Sequence, residues 1–323
     1  MSERVDASDR VVVETTWGPW PALRLEDPWL SVCVVPRVGG RVVSLLDRRT
    51  GREWLGQGEP PDAAEAGRWS AEDAVFDGRV SFGWDECAPS VVPCQDPLDP
   101  GGPPLRDPGD QWGRACEVAF ADPVRGISTR WASPRWPMTL GRTLSLVGGG
   151  SLQVAYELAS HADRPMPALW AAHTVLRLEP GGRVELRDVT TTRVTWVAGW
   201  PVEPGPRVPW PEPTPGFDLS RVRDADEPGA VKLHAVATRA AAVAPDGARL
   251  GIEVDGDLVR TIGVWLDAGG WPPGGPPVHQ SALEPTSSPD DHVVEALEAG
   301  RAWTVPAGGV LRWQVRMDVG GSA

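Results

Sequence analysis

Leu311-Arg312-Trp313-Gln314-Val315-Arg316-Met317-Asp318-Val319 alternates apolar and polar side chains without a break. Successive side chains of a strand point to opposite faces. This period of two therefore puts Leu311, Trp313, Val315, Met317 and Val319 on a buried face and leaves the polar residues in water. Leu152-Gln153-Val154-Ala155-Tyr156-Glu157-Leu158 repeats the pattern. Both segments are expected to be half-buried antiparallel strands. Further strands are expected at 10–15, 30–36, 41–47, 115–120, 128–132, 142–148, 168–178, 183–187, 193–197, 230–237, 240–244, 248–254, 260–267 and 280–284. So many short strands split by Gly and Pro imply an all-β sandwich or barrel rather than βαβ units. Helix is expected over 289–298, where Ser288 can cap and Pro289 suits the first turn, and more weakly over 61–74. No internal repeat or linker divides the chain, so a single domain over 1–323 is expected.

A formal net charge of -13 argues against general affinity for nucleic acid or an anionic membrane, since both need a basic surface. Lys232 is the only lysine, a bias that a GC-rich genome explains. Cys33, Cys87, Cys94 and Cys116 form no CxxC pair and have no histidine at ligand spacing, so no metal site is expected. Reduced thiols are the expectation, although Cys87 and Cys94 are close enough to bridge across a loop. Met1–Asp6 has no apolar leader character and no run of about 18 apolar residues follows, which implies a cytoplasmic protein. No nucleotide loop or flavin motif occurs, so no cofactor is expected.

Two segments carry chemistry. In Ser281-Ala282-Leu283-Glu284-Pro285-Thr286 a carboxylate ends a strand just before a Pro-rich turn, where a side chain is held firmly yet within reach of solvent. In Leu169-Trp170-Ala171-Ala172-His173-Thr174-Val175-Leu176 a histidine interrupts an apolar strand. A carboxylate and an imidazole on a β scaffold, in a chain with 17 Trp, suggest proton transfer on a sugar. Alternatively, Glu284 is a solvated turn carboxylate and His173 a core histidine bonded to backbone.

The sequence resembles the galactose mutarotase-like superfamily, the aldose 1-epimerases and their bacterial relatives. Gly39-Gly40-Arg41 with the following strand, Phe82-Gly83-Trp84-Asp85-Glu86-Cys87-Ala88-Pro89, His173, Leu283-Glu284-Pro285 and Pro306-Ala307-Gly308-Gly309 carry the resemblance. They span a core of about 30–319. The resemblance implies a β-supersandwich of mostly antiparallel strands with little helix, and a sugar cleft on its concave face. It implies acid–base opening of an anomeric sugar, with Glu284 as base and His173 as acid on opposite sides of the hemiacetal, a sugar's width apart. Relatives carry a histidine where this chain has Pro108, in Asp107-Pro108-Gly109-Asp110-Gln111-Trp112. Proline cannot hydrogen-bond through its side chain, which favours a specialised substrate or a role in binding alone.

Several other residues are candidate sugar contacts. Asp85 and Glu86 either bond hydroxyls or satisfy backbone around Gly83. Arg41 either reaches substrate or lies on the surface. Asp218 resembles a further sugar-binding aspartate, and His279 flanks Glu284 five residues earlier. Trp170, Trp265, Trp303 and Trp313 are expected in the core. Trp84, Trp112, Trp200, Trp210 and Trp271 lie in loops where an indole can stack on a pyranose. The expected partner is a small-molecule carbohydrate bound by a monomer or homodimer. The functions to weigh are a cofactor-free isomerase, a carbohydrate-binding protein without turnover, and a lyase or glycosidase with Glu86 facing Glu284.

Overall fold

The computed structural model describes residues 10–320, so the Met1–Asp6 segment lies outside it. Among the described residues the chain forms a 12-stranded sheet, an 8-stranded sheet and a small pair, Met166–Ala168 with Trp303–Val305. All pairings are antiparallel. The alternating segments behave as their period requires: Val310–Gly320 lies beside Ser151–Ser160 with Tyr156 opposite Trp313, Val154 opposite Val315 and Leu152 opposite Met317. Tyr156 and Trp313 stack with centroids 5.2 Å apart, and Trp170 and Trp303 pack against them. This is the β-supersandwich expected.

Register across the larger sheet places the site. Val42 lies opposite Trp84, Thr174 opposite both Trp84 and Leu283, and Val264 opposite Leu283 and Leu233. These side chains form one fully buried row facing the interior. Each Val or Leu so buried contributes about 1.5–3 kcal/mol. A slip of one residue would exchange this row for its neighbour, which holds Arg41, Asp85, His173, Glu284, Gly263, His234 and Arg193 across seven strands. Burying that polar row in the core is prohibitive, so the apolar row fixes the register and points the polar row at the other face.

Among the described residues helix is confined to two short stretches. Ala63–Trp69 falls inside the expected 61–74, with Asp62 accepting from Glu65 N at 2.8 Å. The later helix is Val293–Glu298 and starts after the position expected. Ser288 donates to Asp290 instead of capping it, and Asp290 also accepts from Arg193 and Arg301. Those bonds hold residues 288–291 as a turn. The strand Trp84–Cys87 escaped prediction because all four residues are buried and nothing alternates. All four cysteines are free, without a bridge between Cys87 and Cys94. Among the described residues no helix is long and apolar enough to cross a membrane.

Candidate functional site

The polar row is closed at one end and open at the other. Segment 69–82 folds over the Arg41 end, where Arg41 donates to Asp85 at 3.0 and 2.6 Å and to Val80 O at 3.0 Å. Its guanidinium lies 4.2 Å from the Phe82 ring and 5.4 Å from Trp69. Phe76 then meets His173 edge-on at 5.6 Å. From His173 onward the row opens into a cavity of about 1020 Å³ that also exposes Lys232, Arg193, Asp107 and Asp291.

His173 and Glu284 sit side by side on adjacent strands, with Nε2 4.0 Å from Oε1. Glu284 is 1% exposed and, among the described residues, its Oε1 accepts no hydrogen bond, while Oε2 is held by the Lys232 ammonium. Gly263 lies opposite Glu284, and a Cβ there would come 3.3 Å from both Glu284 Cβ and Oε2. Glycine is what leaves the carboxylate room to lie along the sheet. Lys232 Nζ is also 3.9 Å from Asp291 Oδ1, which lies 3.3 Å from His234 Nε2.

The charges are coupled. Burial lowers the His173 pKa below the ordinary histidine value and outweighs the Glu284 carboxylate, which opposes it. Burial also works against the Lys232 ammonium, but Glu284 and Asp291 overcome it and hold the lysine above its ordinary value. Asp291 resists burial through Lys232 and His234 and stays well below the usual carboxylate range. Asp107 goes the other way: burial, then the Asp291 charge, outweigh the opposing Lys232 ammonium and push it up to about 7. The cavity thus holds one carboxyl that keeps its proton near neutral pH beside others that do not, the separation that acid–base chemistry requires.

By sequence, no family model and no curated protein matches the chain. By structure, the Slr1438 protein of Synechocystis sp. PCC 6803 superposes with TM-score 0.65 at 16% identity, covering 100% of this chain and 99% of that one. A galactose mutarotase-like protein of Clostridium acetobutylicum superposes with TM-score 0.65 at 13% identity, over 98% and 100% of the two chains. Another, from Lactobacillus casei, gives 0.64 at 15% identity over 93% and 100%. The chain has the galactose mutarotase-like fold.

On the galactose mutarotase-like scaffold, the strand period sorts the candidates read from sequence. Glu284 and His173 come together on the cavity floor. Asp85 and Arg41 share their row but pair with each other under the aromatic cover, behind His173 and off the cavity wall. Glu86, one residue from Asp85, faces the opposite way into the core. There it accepts from Arg142 at 3.0 Å, Tyr156 at 3.0 Å and Trp170 at 2.9 Å. It is a core carboxylate and cannot face Glu284 as a glycosidase partner. Trp84 is buried on that same side, and Trp112 is buried with its ring 6.1 Å from Trp69, so neither can stack on a ligand. Asp218 accepts from Ser220 N and Oγ at 2.7 Å and serves a turn outside the cavity. His279 is exposed and off the cavity wall. Five residues is an odd separation in a strand, so Gln280, not His279, shares the cavity with Glu284.

Sequence reading missed Lys232, Asp107, Asp291 and Arg193, and misplaced Trp265, which lines the cavity instead of the core. One signal was available for Lys232: where every other fixed cation is arginine, a single lysine invites a local explanation. Asp291 falls inside the helix expected over 289–298, where an acidic residue near the start is ordinary, and Asp107 was overshadowed by its neighbour Pro108.

Proposed function

We propose that the chain is an aldose 1-epimerase-like isomerase that interconverts the anomers of a sugar by proton transfer. The observation that carries this reading is the pair itself, Glu284 Oε1 free of hydrogen bonds and 4.0 Å from His173 Nε2 on the floor of an open cavity. The anomeric hydroxyl and the ring oxygen are bonded to the same carbon. A base and an acid that serve both can therefore stand side by side; the separation of a sugar's width on opposite sides, expected from the resemblance, is corrected to 4.0 Å between neighbours on adjacent strands. Glu284 takes the proton of the anomeric hydroxyl while protonated His173 gives one to the ring oxygen. The bond between C1 and the ring oxygen breaks and an aldehyde forms. Rotation about C1–C2 presents its other face, and reversal of both transfers closes the opposite anomer, restoring Glu284 and His173. Lys232 holds Glu284 through Oε2 and leaves Oε1 toward His173, and Phe76 packs edge-on against the imidazole.

A carbohydrate-binding protein without turnover is the second reading. Lys232 favours it, because it already occupies one oxygen of Glu284, and so does Pro108, which lines the cavity without a hydrogen-bonding side chain. Exchange-sensitive NMR of anomer interconversion across a panel of reducing sugars separates the two. The isomerase reading expects acceleration over buffer that falls by about 10²–10⁴ in Glu284→Gln, the range for loss of a positioned proton acceptor. Sugars that bind without any acceleration would refute it and leave the binding protein.

A further inference from the structure

The cavity continues beyond the pair that would act on the anomeric centre. One step along the strands, the next row on the same face holds Trp196, Lys232 and Trp265, with Lys232 opposite both tryptophans. Two residues of strand advance about 6.6 Å, close to the span of one sugar ring. Trp196 and Trp265 lie with centroids 5.4 Å apart, and Trp271, from the loop that follows, meets Trp265 edge-on at 6.1 Å. All three are only half-buried and all three line the cavity. With its amide oxygen turned to the indole, Gln280 accepts from Trp265 Nε1 at 3.1 Å. That bond satisfies the polar edge and leaves the ring face for an apolar partner. Half-exposed indoles clustered in a cavity are a surface that gains by being covered.

Charge narrows what covers it. Carboxylates outnumber cations on the wall, and both fixed cations are already paired, Lys232 with Glu284 and Arg193 with Asp290 at 2.8 Å. A phosphate or carboxylate on the ligand would find like charge and no unpaired cation among the described residues of the wall. A pyranose offers an apolar C–H face, hydroxyls for the carboxylates, and no charge.

We propose that a second sugar ring occupies the corner formed by the perpendicular Trp265 and Trp271 indoles, its face on one and its edge against the other, while the reducing ring lies over Glu284 and His173. The substrate is then an uncharged reducing di- or oligosaccharide rather than a monosaccharide or a sugar phosphate. This rests on the isomerase reading only in placing the anomeric centre at Glu284. Calorimetric titration of the full chain with glucose, galactose, maltose, lactose, maltotriose and glucose 6-phosphate tests it. The expected result is at least tenfold tighter binding of a disaccharide than of its monosaccharides, with the phosphate weakest. In Trp271→Ala that advantage falls below threefold while monosaccharide affinity holds; Trp271→Phe retains most of it. Equal affinity for one and two rings, or an advantage untouched in Trp271→Ala, overturns the subsite and leaves the isomerase reading standing. Preferred binding of the phosphate overturns the charge argument. Failure of every sugar to bind overturns both readings.

Discussion

Lys232→Met removes the ammonium that holds Glu284 and keeps much of the apolar stem. In the intact chain the Glu284 carboxylate is 1% exposed, has no hydrogen bond on Oε1, and leans on Lys232 through Oε2. Asp291 keeps His234 at 3.3 Å, so the loss concentrates on Glu284. Stranding one partner of a buried pair costs about 3–5 kcal/mol, and burial of the methionine side chain offsets part of that. A loss of roughly 2–4 kcal/mol in urea unfolding at pH 8 is expected. The sign of its pH dependence follows from the ionisations. Lys232 is held above its ordinary value, so its contribution is complete below the usual lysine range and constant between pH 5 and 8. The orphaned carboxylate of the variant, in contrast, can be neutralised by acid, so the deficit shrinks as pH falls. Combining Lys232→Met with Glu284→Gln should recover about 2 kcal/mol as coupling in a double-mutant cycle. A deficit below about 1 kcal/mol, flat with pH and without coupling, would show that the ion pair does not hold Glu284.

Three further outcomes are expected. The imidazolium of His173 exists below its lowered pKa, so anomer exchange should decline as pH rises through that value, and His173→Gln should lose that dependence along with most of the rate. Asp107, raised to about 7, binds a proton in the folded state that the unfolded chain releases near pH 4. Stability should therefore fall between about pH 4 and 7, and Asp107→Asn should remove that slope, gaining roughly 1–3 kcal/mol at pH 8 in paired urea melts. Glu86→Gln breaks the pair with fully buried Arg142 and should cost about 3–5 kcal/mol. Sugar affinity of the folded fraction should not change, and a selective loss of affinity would restore Glu86 to the ligand site.

The strand period made most of the fold legible. Trp313, Val315, Met317 and Val319 are buried as their alternation requires, and Ser151–Ser160 pairs with them as its matching pattern suggests. The same period, applied strictly, separates Asp85 from Glu86 and Glu284 from His279, because neighbours and odd separations in a strand face opposite ways. Segments buried on both faces, such as Trp84–Cys87, have no alternation to read. Trp265 was misread for a related reason: an apolar strand side chain looks the same whether it meets the core or the wall of a cavity.

The β architecture, and the face of the strand on which Glu284 and His173 each stand, were legible in the sequence alone. These are local properties, set by a repeat of two and by the chemistry of a carboxylate and an imidazole. Only the tertiary structure decided their company. Lys232 reaches Glu284 across 52 residues of chain, Asp291 arrives from a turn fastened by Arg193 and Arg301, and Asp107 enters the cavity lining from a turn outside the sheet. Sheet register brings Lys232, Glu284 and His173 together, turns add Asp291 and Asp107, and burial shifts the titration of His173 and Asp107. Register is a property of the whole sheet, summed over every apolar side chain that would be exposed by a slip, and so no single segment encodes it.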